Sequence, residues 1–443
     1  AKSILINKKI NFKKKKNISV EGDKSLSIRF LLLSSLSNGM CIAENLLKSE
    51  DVTNTINCIK KLGIRIDLNN KNCKVYGKGL KGYTYRKNTI LDVGNSGTAA
   101  RLLCASIIDS TQYIKITGDD SLKKRDMGRI TGPLSKFGAK FKGSKNKLPL
   151  LIKGPKILKP IIYHENLGSA QCKSAVMIAA LKTLGKTKIK CLPSRNHTEL
   201  MFQKVLKVPI KIKRKQRYET IEVNGLKEFN KFNYKIPGDI SSAAFFMVLS
   251  LLSKNSSLTI KDVNINPSRT GIIKILNKMG AQIKFFNKKN YKGETVADIF
   301  VKSKNNLKPV NLNPKLNSSA IDEFLLIFLV ASKCNGVSKF TKLSELNKKE
   351  SKRLDWGIKI LKMIGVKVIR TKDYGIKIWG EKNLSLNKKY VIKNFLKDHR
   401  VFMVSVIAAL TLGGNWKIYD SDSYKTSFPS FLKILKNLGK KIK

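Results

Sequence analysis

Acidic residues are scarce in this chain. Only 30 Asp and Glu stand against 88 Lys and Arg, a formal net charge of +58 over 443 residues. Histidine is scarcer still: His164, His197 and His399 lie far apart, so no metal cluster is evident. The seven cysteines are odd in number and none stands in C-x-x-C spacing. That argues against a disulfide framework and for buried free thiols in a reducing, cytoplasmic setting. Long apolar runs are also missing. The longest, Phe324–Ala331 and residues 401–412, fall short of the ~18 residues that a membrane span needs. The basic start (Lys8, Lys9, residues 13–16) has no apolar h-region and lacks the Arg and Ser richness of a transit peptide. Aromatic residues are sparse near the basic motifs, and the lysines are spread along the whole chain. A specific nucleic-acid surface is therefore not expected, and most of the lysine excess reads as a solvated surface.

What is present is a folded-protein hydrophobic content of 42% and a pattern that returns six times. Small polar residues open an apolar, helix-like run of about ten residues, followed by a Gly or Asn turn and a strand-like stretch. The six openings are Ser25, Gly97, Ser169, Ser241, Ser319 and Asp398. A second helix is predicted in each repeat, over residues 51–62, 127–137, 198–206, 269–279, 352–364 and 428–438. Most of these are followed by Gly and a short strand, as at Gly63 and Gly365. The expected fold class is α/β, with six βαβαββ-type units in two domains of three. Pro237-Gly238 breaks the chain before the fourth repeat. The expected domains are residues 21–236 for the first lobe and 1–20 plus 237–443 for the second.

Small residues at a helix opening leave backbone N–H groups for an anion. Arginine is rare here, about a dozen residues, yet it gathers in these polar motifs, where a planar fork suits carboxylate or phosphate. Lys24, Ser25 and Arg29 open the first repeat, and Gly97 with Arg101 the second. The run Lys123-Lys124-Arg125 reads as a basic loop. Ser169 and Gln171 open the third repeat, where Gln171 can donate and accept at once. Ser194 or Thr198 is expected to cap the following helix, beside Arg195. In the second half Asp322 and Glu323 head an apolar run, where a carboxylate can exchange protons. Lys349, Glu350 and Arg353, then Asp398 and Arg400, then Lys425, complete the set.

Together these motifs resemble the 5-enolpyruvylshikimate-3-phosphate (EPSP) synthase family over essentially the whole chain. Gly22-Asp23-Lys24-Ser25 with Arg29, Asn95-Ser96-Gly97-Thr98 with Arg101, Ser169-Ala170-Gln171 and Ser194-Arg195 fall in the family's order. So do Pro237 to Ala243, Asn266 to Gly271, Asp322-Glu323-Phe324, Lys349-Glu350-Ser351, Asp398-His399-Arg400 and Thr426 to Pro429. The resemblance implies a two-domain inverted α/β barrel that closes on its ligands. It implies transfer of the enolpyruvyl group of phosphoenolpyruvate to the 5-hydroxyl of shikimate 3-phosphate by addition and elimination, by a monomer with no metal or organic cofactor. Carried over by position, Lys24, Ser25, Arg29, Ser169, Gln171, Arg195, Asp322 and Lys349 would contact shikimate 3-phosphate. Lys24, Gly97, Arg125, Gln171, Arg353, Arg400 and Lys425 would contact phosphoenolpyruvate. Asp322 would take the hydroxyl proton, and Glu350, with Lys24 as the competing donor, would protonate the methylene carbon. Gly97 would leave room for a bulkier phosphoenolpyruvate mimic, which implies sensitivity to glyphosate.

The chain departs from the family pattern at Glu21, Ile28, Asp126, Asn196 and Lys352. Lys352 stands where Asp is usual, which removes one expected partner of Arg353. Two other readings compete. A sister enolpyruvyl transferase acts on UDP-N-acetylglucosamine, but its loop cysteine has no counterpart in residues 121–129. A basic nucleic-acid-binding repeat protein would account for the charge, but the sparse aromatics near the basic motifs and the scattered lysines argue against it.

Overall fold

The computed structural model describes residues 2–12, 15–143 and 146–439. The chain forms two compact units. One holds Gly22–Ile236 with Tyr291–Glu294; the other holds Ala1–Glu21, Pro237–Asn290 and Thr295–Lys443.

In the unit of Gly22–Ile236, three inner helices span Lys24–Ser35, Gly97–Ser106 and Ala170–Leu181. They are buried on almost every side, because their sequences are apolar or small all round. The second packs against both the first and the third. Three four-stranded sheets accompany them, in the orders 233–235/38–44/72–78/65–68, 90–92/114–117/150–153/140–143 and 162–165/186–191/218–224/210–215. In each sheet the first pair is parallel and the rest antiparallel. Lys186–Cys191 alternates exposed and buried residues along its length, the signature of a sheet with one face on the core and one in solvent.

The other unit repeats the plan. Its inner helices are Ile240–Leu252, Phe324–Ala331 and His399–Leu412, which pack on one another. All eight residues of Phe324–Ala331 are buried. Its sheets run 284–291/294–302/257–264/16–19, 336–340/375–380/367–371 and 3–6/413–419/386–392. Helices inside and strands outside make this an inverted α/β fold, built from repeated units as the sequence led us to expect.

Strand exchange marks the two crossings of the chain. Residues 90–92 and 162–165 each pair in parallel with the strand that follows their own inner helix. Lys16–Ser19, which precedes the Lys24 helix, pairs instead with Ser257–Asn264. Asn233–Lys235, which precedes the Ile240 helix, pairs with Asn38–Glu44. Lys16–Ser19 therefore joins the sheet of the fourth repeat, while Ser3–Ile6 joins that of the sixth.

The outer helices are Glu50–Lys61, Gly128–Lys136, His197–Met201, Gly271–Lys278, Arg353–Met363 and Phe431–Gly439. Gly63 and Gly365, at φ 87° and 82°, stop two of them in the left-handed conformation that glycine tolerates best. Two expectations need correction. The 198–206 helix is α-helical only over His197–Met201 and continues as a π-helical turn, Phe202–Leu206. The fifth inner helix does not begin at Ser319: a 3-10 stretch, Ser318–Glu323, comes first and the α-helix starts at Phe324.

All seven cysteines are buried and free. Burial pushes the thiols of Cys58, Cys73, Cys104, Cys191 and Cys334 up to about 12. Thiolate is the reactive species, so native protein should give essentially no fast reaction with an aromatic disulfide reagent at neutral pH. Denatured protein should release all seven equivalents; a rapid native equivalent would contradict the burial.

Candidate active site

The helix mouths of the Gly22–Ile236 unit share one network. Asp23 caps the first inner helix, its carboxylate accepting from Leu26 N–H at 2.9 Å. Lys24 Nζ lies 3.1 Å from Asp51 Oδ2. Buried Arg29 donates to the Ser25 carbonyl at 3.1 Å, to Ser174 Oγ at 2.9 Å and to Thr198 Oγ1 at 2.8 Å. One guanidinium thus ties together the first and third repeats. Thr198 is not a helix cap, as its position had suggested. It lies one residue inside His197–Met201, where Asn196 is the N-cap without a side-chain bond, and its hydroxyl accepts from Arg29. Ser194, the other candidate cap, stands two residues before that N-cap.

Gln171 does donate and accept at once. Its Nε2 donates to Thr98 Oγ1 and its Oε1 accepts from Arg101 Nη1, both at 2.8 Å. Ser96 caps the second inner helix and Ser169 the third, each accepting a backbone N–H with its hydroxyl. Just before Ser169, buried Glu165 accepts from Leu167 and Gly168 N–H at 2.8 Å each and shapes the approach. Burial pushes its carboxyl above the usual range against those bonds.

The basic run 123–125 is not a plain loop. Asp120–Lys123 forms one short helix, capped by Asp119. It leaves Lys124 exposed and turns Arg125 toward Gly97. A methyl group on Gly97 would stand 2.4 Å from Arg125 Nη1 and 2.7 Å from Arg101 Nη1. Glycine is therefore what lets two guanidinium groups approach this mouth, and the space beside it is already held by them. Arg125 Nε is buried without a hydrogen-bond partner among the described residues. Arg195 is half-buried in the segment before His197.

Lys173 and Glu199 were not singled out in the sequence. Lys173 Nζ lies 3.0 Å from Glu199 Oε2, and both side chains are almost wholly buried. They flank Ser174 and Thr198, the two hydroxyls that hold Arg29. The hint available in the sequence was a charged residue inside an otherwise apolar helix.

In the other unit three carboxylates and three cations form the second cluster. Asp322 Oδ1 lies 3.3 Å from both Lys349 Nζ and Arg353 Nη1. The Asp322 carbonyl accepts from Arg400 Nη1 at 3.1 Å. Arg353 is buried; it also pairs with Glu350, and with Asp398 Oδ2 at 2.9 Å. The Asp usual at position 352 is thus not needed to hold Arg353, because three other carboxylates do so. Asp398 organises the cluster. It caps the last inner helix at Arg400 N–H and accepts from the Ser351 backbone and hydroxyl. Burial pushes Asp398 up, but the adjoining Arg353 guanidinium outweighs this and holds it below the usual carboxylate value.

Glu323, beside Asp322, is fully buried and accepts from Ser241 Oγ at 2.8 Å. Arg269 donates to the same hydroxyl at 3.0 Å and pairs with Asp239 at 3.3 Å. Arg269 is therefore engaged in a structural ion pair. Lys425 pairs with Asp422, at 3.1 Å and half-exposed.

Such clustering of forked cations and carboxylates at helix mouths suits small, multiply charged acids. The chain matches the family model for EPSP synthase (3-phosphoshikimate 1-carboxyvinyltransferase) over residues 10–435. It is 41% identical to a 3-phosphoshikimate 1-carboxyvinyltransferase from Thermoanaerobacter sp. (strain X514), covering 94% of this chain and 96% of that one. It is 38% identical to the same-named protein from Ruthia magnifica subsp. Calyptogena magnifica, covering 96% and 95%. A solved EPSP synthase structure from Acinetobacter baumannii superposes with a TM-score of 0.84 at 32% identity, covering 100% of this chain and 99% of that one. On the span of that match and the similarity of these relatives along their whole length, the chain belongs to the EPSP synthase family.

Proposed function

We infer that this chain transfers the enolpyruvyl group of phosphoenolpyruvate to the 5-hydroxyl of shikimate 3-phosphate, in the shikimate pathway. The single observation that carries the residue assignment is the Asp322 carboxylate set between Lys349 and Arg353, with Arg400 on its backbone oxygen.

In the addition step a proton goes to the methylene carbon of phosphoenolpyruvate, and the 5-oxygen bonds to the neighbouring carbon while its own proton passes to Asp322. In the elimination step a proton leaves the new methyl group, the carbon–oxygen bond to phosphate breaks, and inorganic phosphate departs. Glu350 supplies the first proton, with Lys24 as the competing donor. Lys24, Ser25, Arg29, Ser169, Gln171, Arg195 and Lys349 hold shikimate 3-phosphate. Lys24, Gly97, Arg125, Gln171, Arg353, Arg400 and Lys425 hold phosphoenolpyruvate. Cations placed where negative charge collects act through electrostatic stabilisation, with no rearrangement at the moment of reaction. We read the enzyme as a cytoplasmic monomer acting on these two metabolites, without a cofactor and without a sequence-specific nucleic-acid partner. No helix among the described residues is long and apolar enough to cross a membrane.

The test is phosphate release with both substrates and with each omitted in turn. Release only when both are present is expected; release with UDP-N-acetylglucosamine in place of shikimate 3-phosphate would overturn the reading. Arg125→Ala removes the fork whose Nε has no hydrogen-bond partner among the described residues. It should raise KM for phosphoenolpyruvate by about tenfold or more, in line with loss of a charge-assisted bond of about 1.5–3 kcal/mol. An unaltered KM and kcat would exclude that role.

A further inference from the structure

The outward face of one sheet has a character that the enzymatic reading does not use. It belongs to the unit that holds Asp322, and is formed by Lys16–Ser19, Ser257–Asn264, Lys284–Tyr291 and Glu294–Lys302. Its inward residues, such as Leu258, Ile260, Ile299 and Val301, are core. Its outward residues include two phenylalanine rings.

Phe286 is 51% exposed, and of the chain's 19 phenylalanines it alone is in the exposed class among the described residues. It meets Phe300 edge-to-face, with ring centroids 6.3 Å apart at 77°. Lys15 Nζ lies 5.7 Å from the Phe300 centroid. The two rings, Lys15, Asn17 and Lys261 line a shallow trough of about 380 Å³. Lys284 and Lys302, two residues along the strands from Phe286 and Phe300, alternate onto the same face and are exposed. The acid among the lining residues, Asp298, is already neutralised. It lies 3.1 Å from Lys261 Nζ and accepts from Asn287 Nδ2 and Asp262 N–H at 2.9 Å each.

What sets this face apart is the pairing of two rings with flanking ammonium groups. A sheet that offers aromatic faces between lysines matches the chemistry of unstacked bases on a charged backbone: rings take the bases and ammonium groups take the phosphates. The chain's net charge of +58 supplies the long-range attraction. We propose that this sheet face binds single-stranded nucleic acid without sequence preference, as a second activity separate from catalysis. None of its residues belongs to the catalytic or substrate-holding set.

Fluorescence anisotropy of the full chain with a labelled twelve-nucleotide oligouridylate, over a range of KCl, tests this. The variant is F286L/F300L, which keeps apolar volume and removes both rings. Base–aromatic stacking contributes about 1–3 kcal/mol per base, so the variant should bind RNA about tenfold or more weakly. Its affinity for heparin, which has charge but no bases, should not change, and neither should kcat or KM. For the parent, the logarithm of affinity should fall linearly with the logarithm of salt. RNA binding equal in variant and parent would overturn the proposal, and so would a parallel loss of RNA and heparin binding. Either result would leave only non-specific attraction to lysine.

Discussion

Asp322→Ala should lower kcat by about 10²–10⁴-fold, the usual contribution of a positioned acid or base, while shikimate 3-phosphate binding survives in part. The geometry makes this substitution clean. The Arg400 contact is to the Asp322 backbone carbonyl, which alanine keeps. Arg353 retains Asp398 and Glu350, so the guanidinium stays in place when one of its three carboxylates is removed. Lys349 loses the carboxylate 3.3 Å away, and some affinity is lost with it. A large fall in kcat with a modest change in KM is the pattern of an interaction made mainly in the transition state. Steady-state kinetics with direct binding of shikimate 3-phosphate measures both; an unchanged kcat would remove Asp322 from the mechanism.

Lys173→Met should cost about 3–5 kcal/mol, because it leaves the Glu199 charge buried without its partner. The pair is 3.0 Å apart, with 0% and 2% of the two side chains exposed. For a unit of this size each kcal/mol moves the melting temperature by roughly 2–4 °C, so a fall on the order of 10 °C follows. The double variant Lys173→Met with Glu199→Leu should recover most of it, since a well-packed apolar pair replaces both charges without leaving either one stranded. Calorimetry on the three proteins decides the matter: a single variant melting within about 2 °C of the parent would contradict it. Ser174 and Thr198 adjoin this pair and hold Arg29. The single variant should therefore also weaken shikimate 3-phosphate.

Arginine usage was the most legible sign of the candidate site. In a chain that uses lysine almost everywhere, Arg29, Arg101, Arg125, Arg353 and Arg400 are buried or half-buried at helix mouths. Arg269 shows the limit of that sign: the same local context produced an ion pair with Asp239. Asp398 illustrates another. As an opening residue it announced a helix, but nothing nearby in the chain showed that it would hold Arg353, 45 residues away. The third outer helix differs because a π-helical turn carries much the same apolar spacing as an α-helix, and the fifth opening because small polar residues there open a 3-10 stretch first.

The sequence alone determined the repeat, the apolar inner helices and the charged residue types at their openings. These depend on interactions within a few residues: periodicity, N–H groups left free at a helix start, and glycine at its end. Only the tertiary structure decided which of those charges meet, which sheet receives each edge strand at the two crossings, and that phenylalanine rings would face outward. Arg29 finds its partners 145 and 169 residues along the chain, and contacts at that separation are set by packing of the whole unit rather than by any local preference.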